Sequence, residues 1–297
     1  MYIDAPAYYD SLDAPPSLEA VETRIQSYMD RLEDTVLSSA VQYHFRSGGS
    51  RTRARLALHS AHSLSLENED CIILACIPEI FHNASLIHDD LQDRDPVRRN
   101  RKSLWYKYNS AIAICAGDYL ISLAYGAATD LSVNIDQKSI LRFMNAKITD
   151  IVQGQALDLA LDPAQTFDDP EAYARIAELK SGSLLSLTLC LPLLAAAQER
   201  HLKTGEAICK SYALAYQIYD DMKDVAQDQS KIGTVSGLNY VTLLQNRRVK
   251  DAIGQAGSDA LMHIAQAFET LHALPLPCTP VFESELQKLR NRITAFA

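Results

Sequence analysis

Apolar residues recur at three- and four-residue spacings along nearly the whole chain. Between Leu18 and Phe45 they fall at Val21, Ile25, Met29, Leu32, Val36 and Val41, the stripe of an amphipathic helix. Comparable stretches cover residues 55–66, 70–90, 110–131, 142–161, 173–194, 206–224 and 282–296, and 240–274 reads as two helices or one broken one. Breaker residues separate them: Gly48-Gly49, the turn-rich run from Asp162 to Pro170, and Pro275, Pro277 and Pro280. Period-two alternation is rare, so the reading is all-α. Residues 94–102 carry five basic side chains and one proline and read as a charged loop. Residues 1–17, with Pro6, Pro15 and Pro16, read as a flexible lead-in, and 18–297 as a single domain without a linker or repeat.

Two apolar runs raise the question of a membrane. Ser110 to Leu131 is long enough to span one but contains Asp118 and several small residues, while Ser183 to Ala197 is short and contains Pro192. Both read as helices buried in a large bundle rather than as stable membrane spans.

Composition adds limits. A hydrophobic share of 47% supports a sizeable core, and a net charge of −9 argues against a nucleic-acid surface. The six cysteines are scattered with no CxxC pair or zinc spacing. Free thiols in a reducing cytosol account for them, which makes the expected location cytoplasmic. The acidic, proline-bearing N-terminus does not read as a secretory leader.

The chemistry concentrates in two places. Asp89, Asp90 and Asp93 follow an apolar helical run, and positions i, i+1 and i+4 share one side of a helix. Three carboxylates held together repel one another, and a hard divalent cation relieves that. Mg²⁺ takes carboxylate oxygens together with phosphate oxygens. Asp220, Asp221 and Asp224 repeat the spacing after a second apolar run, which suggests two walls facing one cavity. Arg98 and Arg99 lie beside the first triad, where a metal-bound phosphate needs cations. The stretch from Arg46 to Arg53 encloses Gly48 and Gly49. It reads equally as a phosphate cradle or as a helix-capping turn flanked by solvated arginines. Lys180 reads either as a snorkelling surface lysine or as a phosphate ligand.

Taken together, these stretches resemble the polyprenyl synthetase family of trans-isoprenyl diphosphate synthases, which includes farnesyl and geranylgeranyl diphosphate synthases. The family's ExxHxxSLIHDDxxD is matched by Glu79, His82, Ser85 to Asp90 and Asp93, followed by Arg98 and Arg99. AGDxL is matched by Ala116 to Leu120, GQxxD by Gly154, Gln155 and Asp158, the Lys-Thr pair by Lys180-Ser181, and QIxDDxxD by Gln217 to Asp224. The resemblance implies an all-α isoprenoid synthase helical bundle around a central apolar cavity, and a homodimer. It implies that Asp89, Asp90, Asp93, Asp220 and Asp224 hold about three Mg²⁺ ions, with Asp221 in the same catalytic motif. Arg98, Lys180 and Lys231 would contact an allylic prenyl diphosphate, with Gln217, Gln155 and Ser181 in support. Arg51, His82 and Arg99 would hold isopentenyl diphosphate. Phe81, Ala84 and Ser85 would line the floor that sets chain length; the small pair there implies a product longer than farnesyl, geranylgeranyl diphosphate.

The chain departs from the pattern at several points. Ser50 stands where the family carries a lysine for isopentenyl diphosphate, Ala54 replaces a proline, and Asn100 and Lys102 follow the arginine pair in place of glycine and proline. The family's Gly-Lys after the second triad is Gly233-Thr234, and the next motif is shortened to SGLNYVTLL. Three readings follow. One is a synthase that condenses isopentenyl diphosphate through Arg51, Arg53 and Arg99. The second is a terpene cyclase or a prenyltransferase with another acceptor. The third is a non-catalytic partner subunit of a synthase.

Overall fold

The structure is a computed structural model that describes residues 15–162, 165–228, 238–274 and 276–296. Lys231, Gly233, Thr234 and residues 1–14 of the expected lead-in lie outside them. Apart from one short hairpin, the described secondary structure is helical, as the period of the apolar positions predicts. Internal contacts group the chain into two units, residues 1–144 with 191–197, and residues 145–190 with 198–297.

In the first unit the stripe from Leu18 to Phe45 is two helices, α1 (Leu18–Met29) and α2 (Val36–Phe45). Thr35 Oγ1 accepts from the Ser38 amide at 3.4 Å and Ser38 Oγ accepts from the Thr35 amide at 3.1 Å, a reciprocal cap that restarts the helix. Helix α3 (Thr52–Ser63) leads to α4 (Asn68–Gln92), which packs against α1, α3 and α6 (Ser110–Ala128). Ile73, Leu74, Ile77, Ile80 and Ile87 of α4 are buried and form the spine of this unit. Burying a side chain of that size contributes about 1.5–3 kcal/mol, so α4, whose end carries the first acidic motif, is the best-anchored helix here.

The charged run after α4 is not an open loop. It closes into a hairpin, β1 (Val97–Arg98) and β2 (Arg101–Lys102), that pairs Val97 with Lys102 and Arg98 with Arg101. Arg99 and Asn100 make its two-residue turn with φ of 51° and 61°, the left-handed pair that suits the strand twist. Asparagine tolerates that region better than most residues, which explains how Asn100 replaces glycine. A one-turn helix α5 (Leu104–Lys107) connects to α6.

The second unit contains α7 (Gln137–Leu159) from residue 145 on, α8 (Pro170–Ala177), a π turn (Glu178–Gly182) and α9 (Ser183–Ala195) as far as Cys190. It continues with α10 (Leu202–Asp228), α11 (Tyr240–Asn246), α12 (Ala252–His272) and α13 (Thr279–Phe296). The expected single helix over 173–194 is thus broken by the π turn, a device that frequently accompanies function. Helix α10 packs chiefly on α12, whose Ala256, Ala260, Ile264 and Ala267 are buried. Alanines at that spacing let the two helices come close.

Among the described residues, three helical stretches are long and apolar enough to cross a membrane: Asn68–Gln92, Ser110–Ala128 and Pro170–Ala195. The apolar windows of the first and third are 72% and 78% buried inside the protein, that of the second only 39%.

Candidate active site

The first acidic motif sits at the C-terminal end of α4, with Asp93 as its cap. Its members meet different surroundings. Asp93 is exposed, Asp89 half-buried, and Asp90 buried. Asp90 Oδ1 accepts from Arg98 Nε and Nη2, both at 2.6 Å, because the hairpin folds β1 back over the helix end. Asp90 Oδ2 is buried with no hydrogen-bond partner. Burial raises the Asp90 carboxyl to about 6 against the pull of Arg98. Arg98, expected on the allylic diphosphate, has its guanidinium on Asp90.

Beside it lies a cationic cluster. Arg51 adopts a left-handed conformation, φ 51°, and donates to Glu22 and to buried Glu79, both at 3.0 Å. Its charge is therefore already answered by two carboxylates. His82 is driven well below its ordinary range, first by burial and then by Arg53, Arg99 and Arg98, and stays neutral. His44 Nε2 lies 3.1 Å from Asn83 Oδ1, and burial lowers this ring to about 3. Asn83 donates to the Glu79 carbonyl at 2.8 Å, so its Oδ1 is the acceptor and His44 the donor. Arg99 is pulled down by burial and by Arg98 and Arg51. Its Nη1 donates to the Gly48 carbonyl and to Ser47 Oγ. A Cβ on Gly49 would come within 2.8 Å of the Arg99 guanidinium, so glycine there leaves the arginine its place. Ser50 Oγ lies 2.9 Å from Thr52 Oγ1 and brings no cation.

On α6, Gly117 makes a niche for His88: a Cβ there would lie 2.1 Å from His88 Nε2. Asp118 Oδ1 lies 3.6 Å from the same nitrogen. AGDxL thus seats the residue that precedes Asp89. Phe81 and Ala84 are buried and Ser85 is half-buried, its hydroxyl bonded to the His82 carbonyl at 2.9 Å. The Phe81 ring meets Tyr125 of α6 edge-to-face at 5.6 Å.

The second acidic motif lies on α10. Asp221 is buried and fully engaged. Its Oδ2 accepts from Tyr173 Oη at 2.6 Å and from the Tyr240 amide at 2.8 Å, and its Oδ1 accepts from Gln217 Nε2 at 3.1 Å. Burial raises its carboxyl to about 6 although all three bonds oppose that. Asp220 is half-buried and paired with Lys223; Asp224 is exposed. Burial pulls Lys223 down, but its contact with Asp220 outweighs this and the net direction is up. Lys180 stands in the π turn and donates to Asp158 Oδ2 at 2.5 Å. A Cβ on Gly154 would meet Leu179 Cβ at 2.8 Å and the Lys180 amide nitrogen at 3.0 Å, so glycine lets α7 reach the π turn. Gln155 is half-buried one residue on. Ser181 Oγ donates to Gln217 Oε1 at 3.5 Å.

The donor set fits a hard cation. Both motifs offer carboxylate oxygens, and Asp90 Oδ2 is a buried acceptor with nothing to accept from. Among the described residues no three carboxylate, imidazole or thiol groups already converge as a metal cage.

Sequence reasoning left several of these groups without a part. Lys223 was legible as the i+3 partner of Asp220. Tyr173, Asn239 and Tyr240 were not, because they reach Asp221 across 48, 18 and 19 residues and only the fold joins them.

The sequence profile of the polyprenyl synthetase family matches residues 34–240. A short chain isoprenyl diphosphate synthase of Methanocaldococcus jannaschii is 27% identical over 221 residues, 74% of this chain and 66% of that protein. The match thus spans about two thirds of that relative's length. Farnesyl diphosphate synthase of Escherichia coli is 30% identical over 286 residues, 87% of this chain and 95% of that one. The crystal structure of a geranyltranstransferase from Thermotoga maritima superposes with a TM-score of 0.78 at 25% identity, covering 93% of this chain and 97% of that one. Geranylgeranyl pyrophosphate synthetase from Geoglobus acetivorans shares the fold, with a TM-score of 0.79 at 19% identity and coverage of 94% and 97%.

Proposed function

The chain belongs to the polyprenyl synthetase family, and on that premise we propose that it is a Mg²⁺-dependent trans-prenyltransferase that joins an allylic prenyl diphosphate to isopentenyl diphosphate. The observation that carries this reading is the cluster of Arg53, Arg99 and neutral His82 beside a complete acidic motif. Arg99, pulled down by burial and by its neighbouring arginines, gains when an anion arrives, and a diphosphate is the anion the neighbouring carboxylates require through a metal.

Asp89, Asp90 and Asp93 in the first motif, Asp90 through its unpartnered Oδ2, and Asp220 and Asp224 in the second would serve the allylic diphosphate, with about three Mg²⁺ ions. Bound there, Mg²⁺ neutralises the charge that grows on the departing pyrophosphate. Lys180 and Lys231 add cationic contacts to the same leaving group, and Asp158 holds Lys180 in position until then. His82, Arg53 and Arg99 hold isopentenyl diphosphate; Arg51 supports them through its bond to Glu79. The allylic C1–O bond breaks to release pyrophosphate, the double bond of isopentenyl diphosphate attacks that carbon, and the released pyrophosphate takes the proton whose loss restores a double bond. No side-chain nucleophile takes part.

We assign the product as geranylgeranyl diphosphate, since Ala84 and Ser85 are small and Ser85's hydroxyl is spent on its own helix. A homodimer through α6 and a cytoplasmic location complete the reading; Ile114 on α6 is 48% exposed, an apolar surface that a second copy would cover. The alternative with another acceptor rests on Ser50, which removes one cation from the second substrate's site. Incubation with Mg²⁺ and an allylic diphosphate, with and without isopentenyl diphosphate, separates the two: elongated diphosphate supports condensation, and hydrocarbon formed without isopentenyl diphosphate overturns it.

A further inference from the structure

Asp221 cannot offer a cation an unengaged oxygen. Each of its carboxylate oxygens already accepts a hydrogen bond from the protein, and Oδ2 accepts two. Its main-chain carbonyl is taken as well, by Asn239 Nδ2 at 3.1 Å. The same Asn239 caps α11, its Oδ1 accepting from the Thr242 amide at 3.0 Å. Tyr173, on α8, is buried, and burial beside Asp221 holds its phenol far above the ordinary range, so it remains a donor. The Tyr173 and Tyr240 rings pack at 4.8 Å, which fixes the direction from which both reach the carboxylate. Three stretches of chain therefore meet at this one residue: α8 through Tyr173 and α10 through Gln217 on its carboxylate, and the start of α11 through the Tyr240 amide on its carboxylate and Asn239 on its main-chain carbonyl. Asp220 precedes that side chain by one residue and Asp224 follows by three.

We propose that Tyr173 is a positioning residue: with Asp221 it forms a latch that sets the rotation of α10 at the acidic motif, so that Asp220 and Asp224 are presented together to Mg²⁺-bound pyrophosphate. The latch acts through Asp221 and touches neither metal nor substrate. The inference rests on the proposed prenyl diphosphate site. A carboxylate in the middle of an acidic motif is expected to be repelled by its neighbours; here it is removed from that repulsion by three donors and becomes the fixed point about which they are held.

The test is Mg²⁺-dependent binding of inorganic pyrophosphate, measured by calorimetry on the full chain, for the parent, Tyr173→Phe and Tyr240→Phe. Tyr173→Phe deletes one donor to Asp221 and leaves the ring in place. Tyr240→Phe deletes the bond to Asp259 Oδ2, 2.9 Å in the parent, and keeps the main-chain donor to Asp221. The latch predicts that Tyr173→Phe raises the Mg²⁺ concentration for half-saturation about tenfold, the value of one hydrogen bond to a charged group. Tyr240→Phe leaves that concentration unchanged, and kcat of Tyr173→Phe recovers at saturating Mg²⁺. Equal half-saturation in the parent and Tyr173→Phe overturns the latch. Equal weakening in both variants also overturns it, because a general loss of stability would then be the cause. A parent that binds no pyrophosphate with Mg²⁺ overturns the diphosphate site itself and the latch with it, an outcome separated from the others by the parent measurement alone.

Discussion

Asp90 and Asp221 are each the second aspartate of an acidic motif, and both leave water. Burying a carboxylate is costly unless it is partnered, and each has its own donors: Arg98 for Asp90, Tyr173 with Gln217 and the Tyr240 amide for Asp221. The residues on either side stay nearer the surface. The spacing DDxxD announced acid and metal in the sequence. It did not show that the middle carboxylates face inward, because that depends on partners far along the chain. Asp89→Ala and Asp220→Ala are expected to reduce turnover by two orders of magnitude or more, with an unchanged circular dichroism spectrum; retained Mg²⁺-dependent turnover in either contradicts the metal assignment. Titration offers a separate check at His44. Burial lowers it to about 3 from 6.5, so the folded protein holds the neutral ring while the unfolded chain protonates first. Its contribution is complete above pH 6.5 and is lost as pH falls toward 3, by up to about 1.4 kcal/mol per pH unit. Urea unfolding of the parent and His44→Gln should show their stability difference shifting in favour of the variant over that range and holding constant above it.

The elements follow their apolar periods closely, and the departures have local causes. One stripe over 18–45 became two helices because Thr35 and Ser38 cap each other. The period continues across a cap, so the stripe alone could not reveal it. A charged loop became a hairpin because Arg99 and Asn100 accept left-handed conformations, which basic composition conceals. The helix over 173–194 carries a π turn at Lys180, where Gly154 of α7 lets the backbones approach. A methyl group at Gly154 meets Leu179 Cβ and the Lys180 amide nitrogen, neither of which can swing aside. Gly154→Ala is therefore expected to cost about 1–3 kcal/mol of stability. It should also shift Lys180 off Asp158, raising KM for the allylic diphosphate more than it lowers kcat. A change in melting temperature with unaltered KM would show that the π turn does not set the lysine.

At the level of the whole molecule, the order of motifs was legible throughout, since each is a short local pattern, and the match over residues 34–240 follows from it. What the chain does with its second substrate was less legible, because it depends on which arginine faces which carboxylate. Arg51 proves to be answered by Glu22 and Glu79, while Arg53 and Arg99 lie beside His82. Ser50→Lys should restore a cation there and lower KM for isopentenyl diphosphate about tenfold, leaving KM for the allylic substrate unchanged. Ser85→Phe should shorten the product by at least one five-carbon unit, read by mass spectrometry, and an unchanged product removes Ser85 from the floor. The most direct measurement of the central claim is the fate of a labelled allylic diphosphate incubated with the full chain and Mg²⁺. With isopentenyl diphosphate present, the label should appear in a longer prenyl diphosphate and pyrophosphate should be released in equal amount. Label that stays in the starting diphosphate, or passes into hydrocarbon when isopentenyl diphosphate is omitted, contradicts it.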